Sequence, residues 1–95
     1  MGQNEDTTEA LKLLKIDLGI THDKRDEYFG ALLLSVQNEL KRKGVVLDLS
    51  AFDDLILLTD YAAWQYRNRQ EGQELPKNLQ LRVKNRVVQG RAKNG

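Results

Sequence analysis

The stretch at residues 50–69, SAFDDLILLTDYAAWQYRNR, constrains the fold more than any other, because a helix built from it leaves almost no side free for water. Ser50 stands in N-cap position with Asp53 three residues on, a capping-box spacing with Asp in place of Glu. Asp53 and Asp54 lie in the first turn and Arg67 and Arg69 in the last, so both ends complement the helix dipole. Between them Phe52, Leu55, Ile56, Leu57, Leu58, Tyr61, Ala62, Ala63 and Trp64 cover most of the circumference. A helix that is apolar on nearly every side has to be surrounded. The expected fold is all-α, a small four-helix domain with the rest of the chain packed around this third helix.

Ninety-five residues make one domain, and a chain of that length buries only about two-thirds of its unfolded surface. Some of the apolar surface is therefore available to another subunit. The charge is balanced, 15 basic against 14 acidic residues, which argues against a general polyanion binder. The balance conceals an asymmetry: residues 46–60 carry Asp48, Asp53, Asp54 and Asp60 with no base, while residues 76–95 carry Lys77, Arg82, Lys84, Arg86, Arg91 and Lys93 with no acid. Opposite blocks on one short chain suit head-to-tail self-association, or a partner that reads one end. The chain has no cysteine, which excludes disulfides and thiolate metal sites. Uncharged apolar runs such as 55–58 are far too short to span a membrane, and the N-terminus has no signal-peptide pattern, so a soluble intracellular protein is expected.

Taken in order, residues 1–6 are polar and predict a loose start. Asp6 can cap a short helix with Leu11, Leu14 and Leu18 on its apolar face, and Gly19 ends it in the left-handed conformation. Thr21 or Asp23 starts a longer helix to about Lys43, with the stripe Phe29, Leu32, Leu33, Val36 and Leu40 and a stop at Gly44. The connector at 44–49, GVVLDL, is too apolar for a solvated loop and is expected to lie on the core with Val46 or Leu47 tucked in. Glu71 to Leu75 form a turn around Gly72, after which Pro76 suits a helix start. The segment that follows is ambiguous, since Leu79, Leu81 and Val83 alternate like a strand while Leu79, Val83 and Val87 recur like a helix; Pro76 and the lack of a pairing strand favour helix. Residues 90–95 read as a flexible basic tail.

Nothing along the chain assembles a catalytic site. His22 is the only histidine and sits beside a helix start, where solvated surface is the ordinary reading. Asp53 and Asp54 are adjacent on a helix and diverge by about 100 degrees, so they cannot converge on one substrate. There is no glycine-rich phosphate loop and no Ser/His/Asp set. The chain reads as a non-enzyme without cofactor or metal. A helix-turn-helix reading fails because the apolar connector exceeds the usual three- or four-residue turn. The candidate partner-binding residues are Arg67, Arg69, Lys77, Arg82, Lys84, Arg86, Arg91 and Lys93, with Asp53 and Asp60 on the acidic side. Trp64 and Tyr66 read as core, with interface as the alternative. On this reading, reversing Arg82 and Arg86 to Glu abolishes docking and leaves the helical fold intact.

The order of the pieces resembles a known family. LKIDLGI at 14–20, an Asp-rich start to a long helix, GVVLDLS, DYAAWQYRNR and LPKNLQLRVKNRV together are similar to the small head–tail connector proteins (head completion adaptors) of long-tailed phages, closest to the group labelled QLRG-type DNA-packaging proteins. The most specific parts are Asp60, Tyr61, Ala62 and Ala63 with Tyr66, Arg67 and Arg69, and the block Leu79, Gln80, Leu81, Arg82, after which Val83 replaces the glycine of the label. The resemblance implies a four-helix subunit, monomeric or weakly associated alone. It implies assembly into a ring, commonly twelvefold, beneath the portal at the virion head–tail joint. The ring continues the channel for passing DNA and receives the next head-completion or tail protein, and the basic segment after Pro76 reaches towards the portal. A small nucleic-acid-binding module of a packaging or regulatory system is the alternative.

Overall fold

Two helix ends are written into the chain as glycines, and both fold as the sequence predicts. The computed structural model describes the backbone of residues 3–68 and 74–94 and the side chains of residues 7–68 and 74–89. Helices α1 (Gln3–Leu18), α2 (Asp26–Arg42), α3 (Phe52–Arg67) and α4 (Lys77–Asn94) are its elements, and the fold is all-α. After α1, Gly19 takes φ 74°, its N–H bonds the Ile16 carbonyl at 3.2 Å, and the Ile20 N–H reaches back to Lys15 at 2.9 Å. After α2, Gly44 takes φ 96°, bonding Lys41 at 3.0 Å, while Val45 bonds Leu40 at 2.8 Å. Both are Schellman motifs, in which a left-handed residue turns the chain back onto the last orphan carbonyls. The second turn also drops Val45, 3 % exposed, into the core as the hydrophobic contact that accompanies such a stop.

Helix α3 is the centre, and each of the other three helices packs on it. It buries Leu55, Leu57, Leu58, Tyr61, Ala62 and Ala63. Against these pack Ala10 and Leu14 of α1, the full predicted stripe Phe29, Leu32, Leu33, Val36 and Leu40 of α2, and Leu79 and Val83 of α4. Leu11, Leu18, Trp64 and Tyr66 lie half-buried against the same core.

Several boundaries differ from expectation. Helix α1 is already formed at Gln3 rather than loose through residue 6. Helix α2 starts at Asp26, not at Thr21 or Asp23, because the Asp23 carboxylate accepts a bond from Lys15 Nζ at 2.8 Å instead of capping a helix. Helix α3 is capped at Ala51 and not at Ser50, whose Oγ donates to Asp48 Oδ1 at 2.6 Å. In the connector Val45 and Leu49 are buried and Leu47 half-buried, whereas Val46 is 73 % exposed. The Schellman turn sets that register, and the next residue has to face out. Pro76 does start a helix: its carbonyl accepts the Gln80 N–H at 2.9 Å, one position before the first helical residue. Helix α4 continues through Gly90 to Asn94, taking in most of the expected flexible tail.

Candidate docking surface

The helical period sorts the bases of α4 onto separate faces. Leu79, Val83 and Val87 recur at i, i+4 and i+8 and rest on the core. Arg82 and Arg86, three and seven residues after Leu79, flank that apolar edge and turn inward. Arg86 pairs through Nη1 with Asp54 Oδ1, and Arg82 Nη1 lies 2.9 Å from Asp60 Oδ2. The acidic and basic blocks of the sequence thus meet inside one molecule at these two pairs.

Asp54 is the group on which this side of the domain turns. Only 3 % exposed, it accepts the Asp48 N–H on Oδ2 at 2.6 Å and Arg86 on Oδ1. Asp48 in turn accepts the N–H and hydroxyl of Ser50, and these bonds hold its carboxyl below the ordinary carboxylate value. The two aspartates therefore fold the chain into α3 and tie α4 to it. Sequence reasoning placed Asp54 among first-turn charges that complement the helix dipole and missed this role. The signal lay in Arg86, which sits on the apolar edge of its helix, where a base needs an acid opposite. Arg86 gains from the same pair, its guanidinium pushed further up by the bond it donates to Asp54.

The outward face of α4 is different. Lys77, Leu81, Lys84 and Val88, spaced i, i+4, i+7 and i+11, form one exposed stripe, with Leu81 57 % and Val88 54 % exposed. Beside it Asn85 and Gln89 face Phe52 and Asp53 of α3 across a groove of about 620 Å³. Of the remaining predicted residues, Asp53 is exposed at the start of α3. Arg67 turns to the end of α1, bonding the Asp17 carbonyl at 3.0 Å and lying 3.5 Å from its carboxylate. Arg69 lies outside the described residues, as do the side chains of Arg91 and Lys93.

A second polar seam closes the other side. The Tyr61 hydroxyl donates to Glu39 Oε2 at 2.6 Å and accepts from Lys43 Nζ at 3.3 Å. Burial, helped by Glu39, pushes the phenol well above its ordinary value of 10.0. At the far end Arg25 donates to the Tyr66 hydroxyl at 3.2 Å and lies 4.8 Å from the centre of the Tyr28 ring, joining the start of α2 to the end of α3. Among the described residues no three His, Asp or Glu side chains group to hold a metal, and no helix is long and apolar enough to cross a membrane. Comparison of the chain with family models, with curated proteins and with solved structures finds no match in any of the three.

Proposed function

We propose that this chain is a structural adaptor of a tailed phage or prophage, a subunit that forms a ring beneath the portal, joins head to tail and continues the DNA channel. The observation that carries the reading is the outward stripe of α4. Its inward bases are already neutralised by Asp54 and Asp60, which leaves Lys77 and Lys84 alternating with Leu81 and Val88 on one exposed edge. Two cations interleaved with two aliphatic side chains suit an acidic, partly apolar protein surface, since interface cores want apolar anchors and rims want charge. The four-helix architecture and the order of the sequence blocks support the same reading. A nucleic-acid module fits less well, because Leu81 and Val88 occupy positions where a phosphate-tracking face carries bases or polar groups.

The proposed docking residues are revised accordingly. Lys77 and Lys84 take the role assigned by sequence to the whole basic segment, while Arg82 and Arg86 hold the subunit together. Reversing Arg86 to Glu sets a carboxylate against buried Asp54, so the double reversal at Arg82 and Arg86 strikes folding as well as docking. The informative variant is Lys77→Glu with Lys84→Glu, which touches neither internal pair. Co-sedimentation with purified portal rings should be lost in this variant while its circular dichroism stays that of the parent. Undiminished docking overturns the assignment. Binding to duplex DNA that falls steeply with salt points to the nucleic-acid reading instead.

A further inference from the structure

Two exposed features of the domain are complementary in shape and in charge. Phe52 opens α3 with 66 % of its surface in water, an aromatic knob followed at once by the exposed carboxylate of Asp53. On α2 and the connector that follows it, Leu34, Val45, Val46, Leu47 and Leu49 line a hollow of about 380 Å³, with exposed Lys41 at its rim. Leu34 and Val46 stand at its mouth, 55 % and 73 % exposed. The hollow is large enough for a phenyl ring, and its aliphatic side chains share the lining with Gln37, Asn38 and Lys41.

We propose that the Phe52 knob of one copy seats in the α2–connector hollow of a second copy, with Asp53 of the first set against Lys41 of the second. The inference rests on the adaptor reading above for its setting, and names the contact by which its subunits join. Charge complementarity selects the occupant: an aromatic ring beside an acid meets a hollow of mixed aliphatic and amide lining beside a base. Aromatic anchors of this kind supply most of the apolar contact at an interface for little loss of side-chain freedom. Knob and hollow share no residue, and a contact made without the reciprocal pair of a two-fold dimer is heterologous. Each copy keeps one free knob and one free hollow, which is the arrangement that closes into a ring when the rotation permits. Acid and base meet here through Asp53 and Lys41, whereas Asp54, Asp60, Arg82 and Arg86 are spent within the subunit.

The absence of cysteine allows a direct test. Asp53→Cys and Lys41→Cys, exposed positions at which a disulfide replaces the proposed charge pair while the Phe52 ring and the aliphatic side chains of the hollow are kept, are prepared singly and mixed under mild oxidation. Each variant is kept at about 1 mM, where even a contact with millimolar Kd is formed in roughly a third of the molecules. The expected result is a mixed disulfide dimer in the mixture, little dimer in either variant alone, and a ladder of multimers from the double variant. Adding Phe52→Ala to the Asp53→Cys chain should cut the mixed dimer about tenfold or more, with the melting temperature unchanged because the ring is exposed. A mixture that gives no mixed dimer overturns the contact, as does one that gives no more than the single variants. So does a mixed dimer that survives Phe52→Ala. Portal rings are absent from this experiment. A failed cross-link with portal docking intact therefore removes this contact alone, whereas failed docking with the cross-link present removes the adaptor reading alone.

Discussion

Helices α1 to α3 and helix α4 are parts of one fold held by different means. In the three-helix part, Leu14, Phe29, Leu33, Val36, Leu40 and Leu58 are 0 % exposed, and α3 is gripped by α1 and α2 along its length. Among its described residues, helix α4 sets Leu79, Val83 and the half-buried Val87 on the core, and completes its attachment to α3 with two ion pairs. The bundle depends mainly on apolar area, which charge screening does not weaken, with Lys15 to Asp23 and Arg67 to Asp17 as pairs at its surface. The fourth helix depends in part on charge, one pair nearly buried at its acidic end and one open to solvent. A helix held in this way keeps its outer face free of obligations to the fold, which is what a docking element needs.

The largest expected effect tests the bundle. Leu58→Ala removes a side chain with no exposed surface from the middle of α3 and should cost about 2–5 kcal/mol, read as a lowered melting temperature with loss of all four helices together. A melt unchanged within error contradicts the central placement of α3. Next comes the buried end of the α4 attachment. Arg86→Ala leaves the Asp54 carboxylate without its charged partner and should cost about 1–3 kcal/mol. Its signature is regional: amide exchange should rise along α4 and at Asp48 while the amides around Leu33 and Leu58 stay protected. Uniform loss of protection erases the distinction between the two regions.

A third prediction uses pH to separate them. The Tyr61 phenol is raised, so its contribution is fully present below its unfolded value of 10.0 and is lost as pH climbs above it. The carboxyls of Asp23 and Asp48 are lowered, so theirs is present above the ordinary value of 3.8 and is lost as pH falls through and below it. Stability should therefore be flat in between and fall at both ends. Tyr61→Phe should remove the alkaline fall attributable to this residue and cost about 0.5–1.5 kcal/mol at neutral pH through the lost hydrogen bond. An alkaline limb that Tyr61→Phe leaves unaltered assigns it to other groups. The smallest effect belongs to Arg82→Ala. Its pair with Asp60 is more than a third exposed on both sides, 37 % and 41 %, and should contribute about 0–1 kcal/mol and vanish in high salt. A cost equal to that of Arg86→Ala would mean that burial does not distinguish the two pairs.

Much of this was determined by the chain alone. The number of helices, the apolar stripe of α2, the central burial of α3 and the two glycine stops are local properties, set by periodicity and by backbone conformations that glycine takes most readily, whereas Phe52, expected on the covered surface of α3, is 66 % exposed. Boundaries were less legible where a side chain had a distant competitor. Ser50 and Asp23 look like caps in sequence, but Asp48 and Lys15 claim them, and no local rule ranks those bonds. The candidate surface was read half correctly for the same reason. Sequence shows an acidic block and a basic block; it does not show that α4 returns along α3 and brings Arg86 onto Asp54 and Arg82 onto Asp60. Charge attracts without regard to which chain carries the partner. Only the packing of Leu79 and Val83 against α3 decided which bases were consumed within the subunit and which, Lys77 and Lys84, were left facing outward.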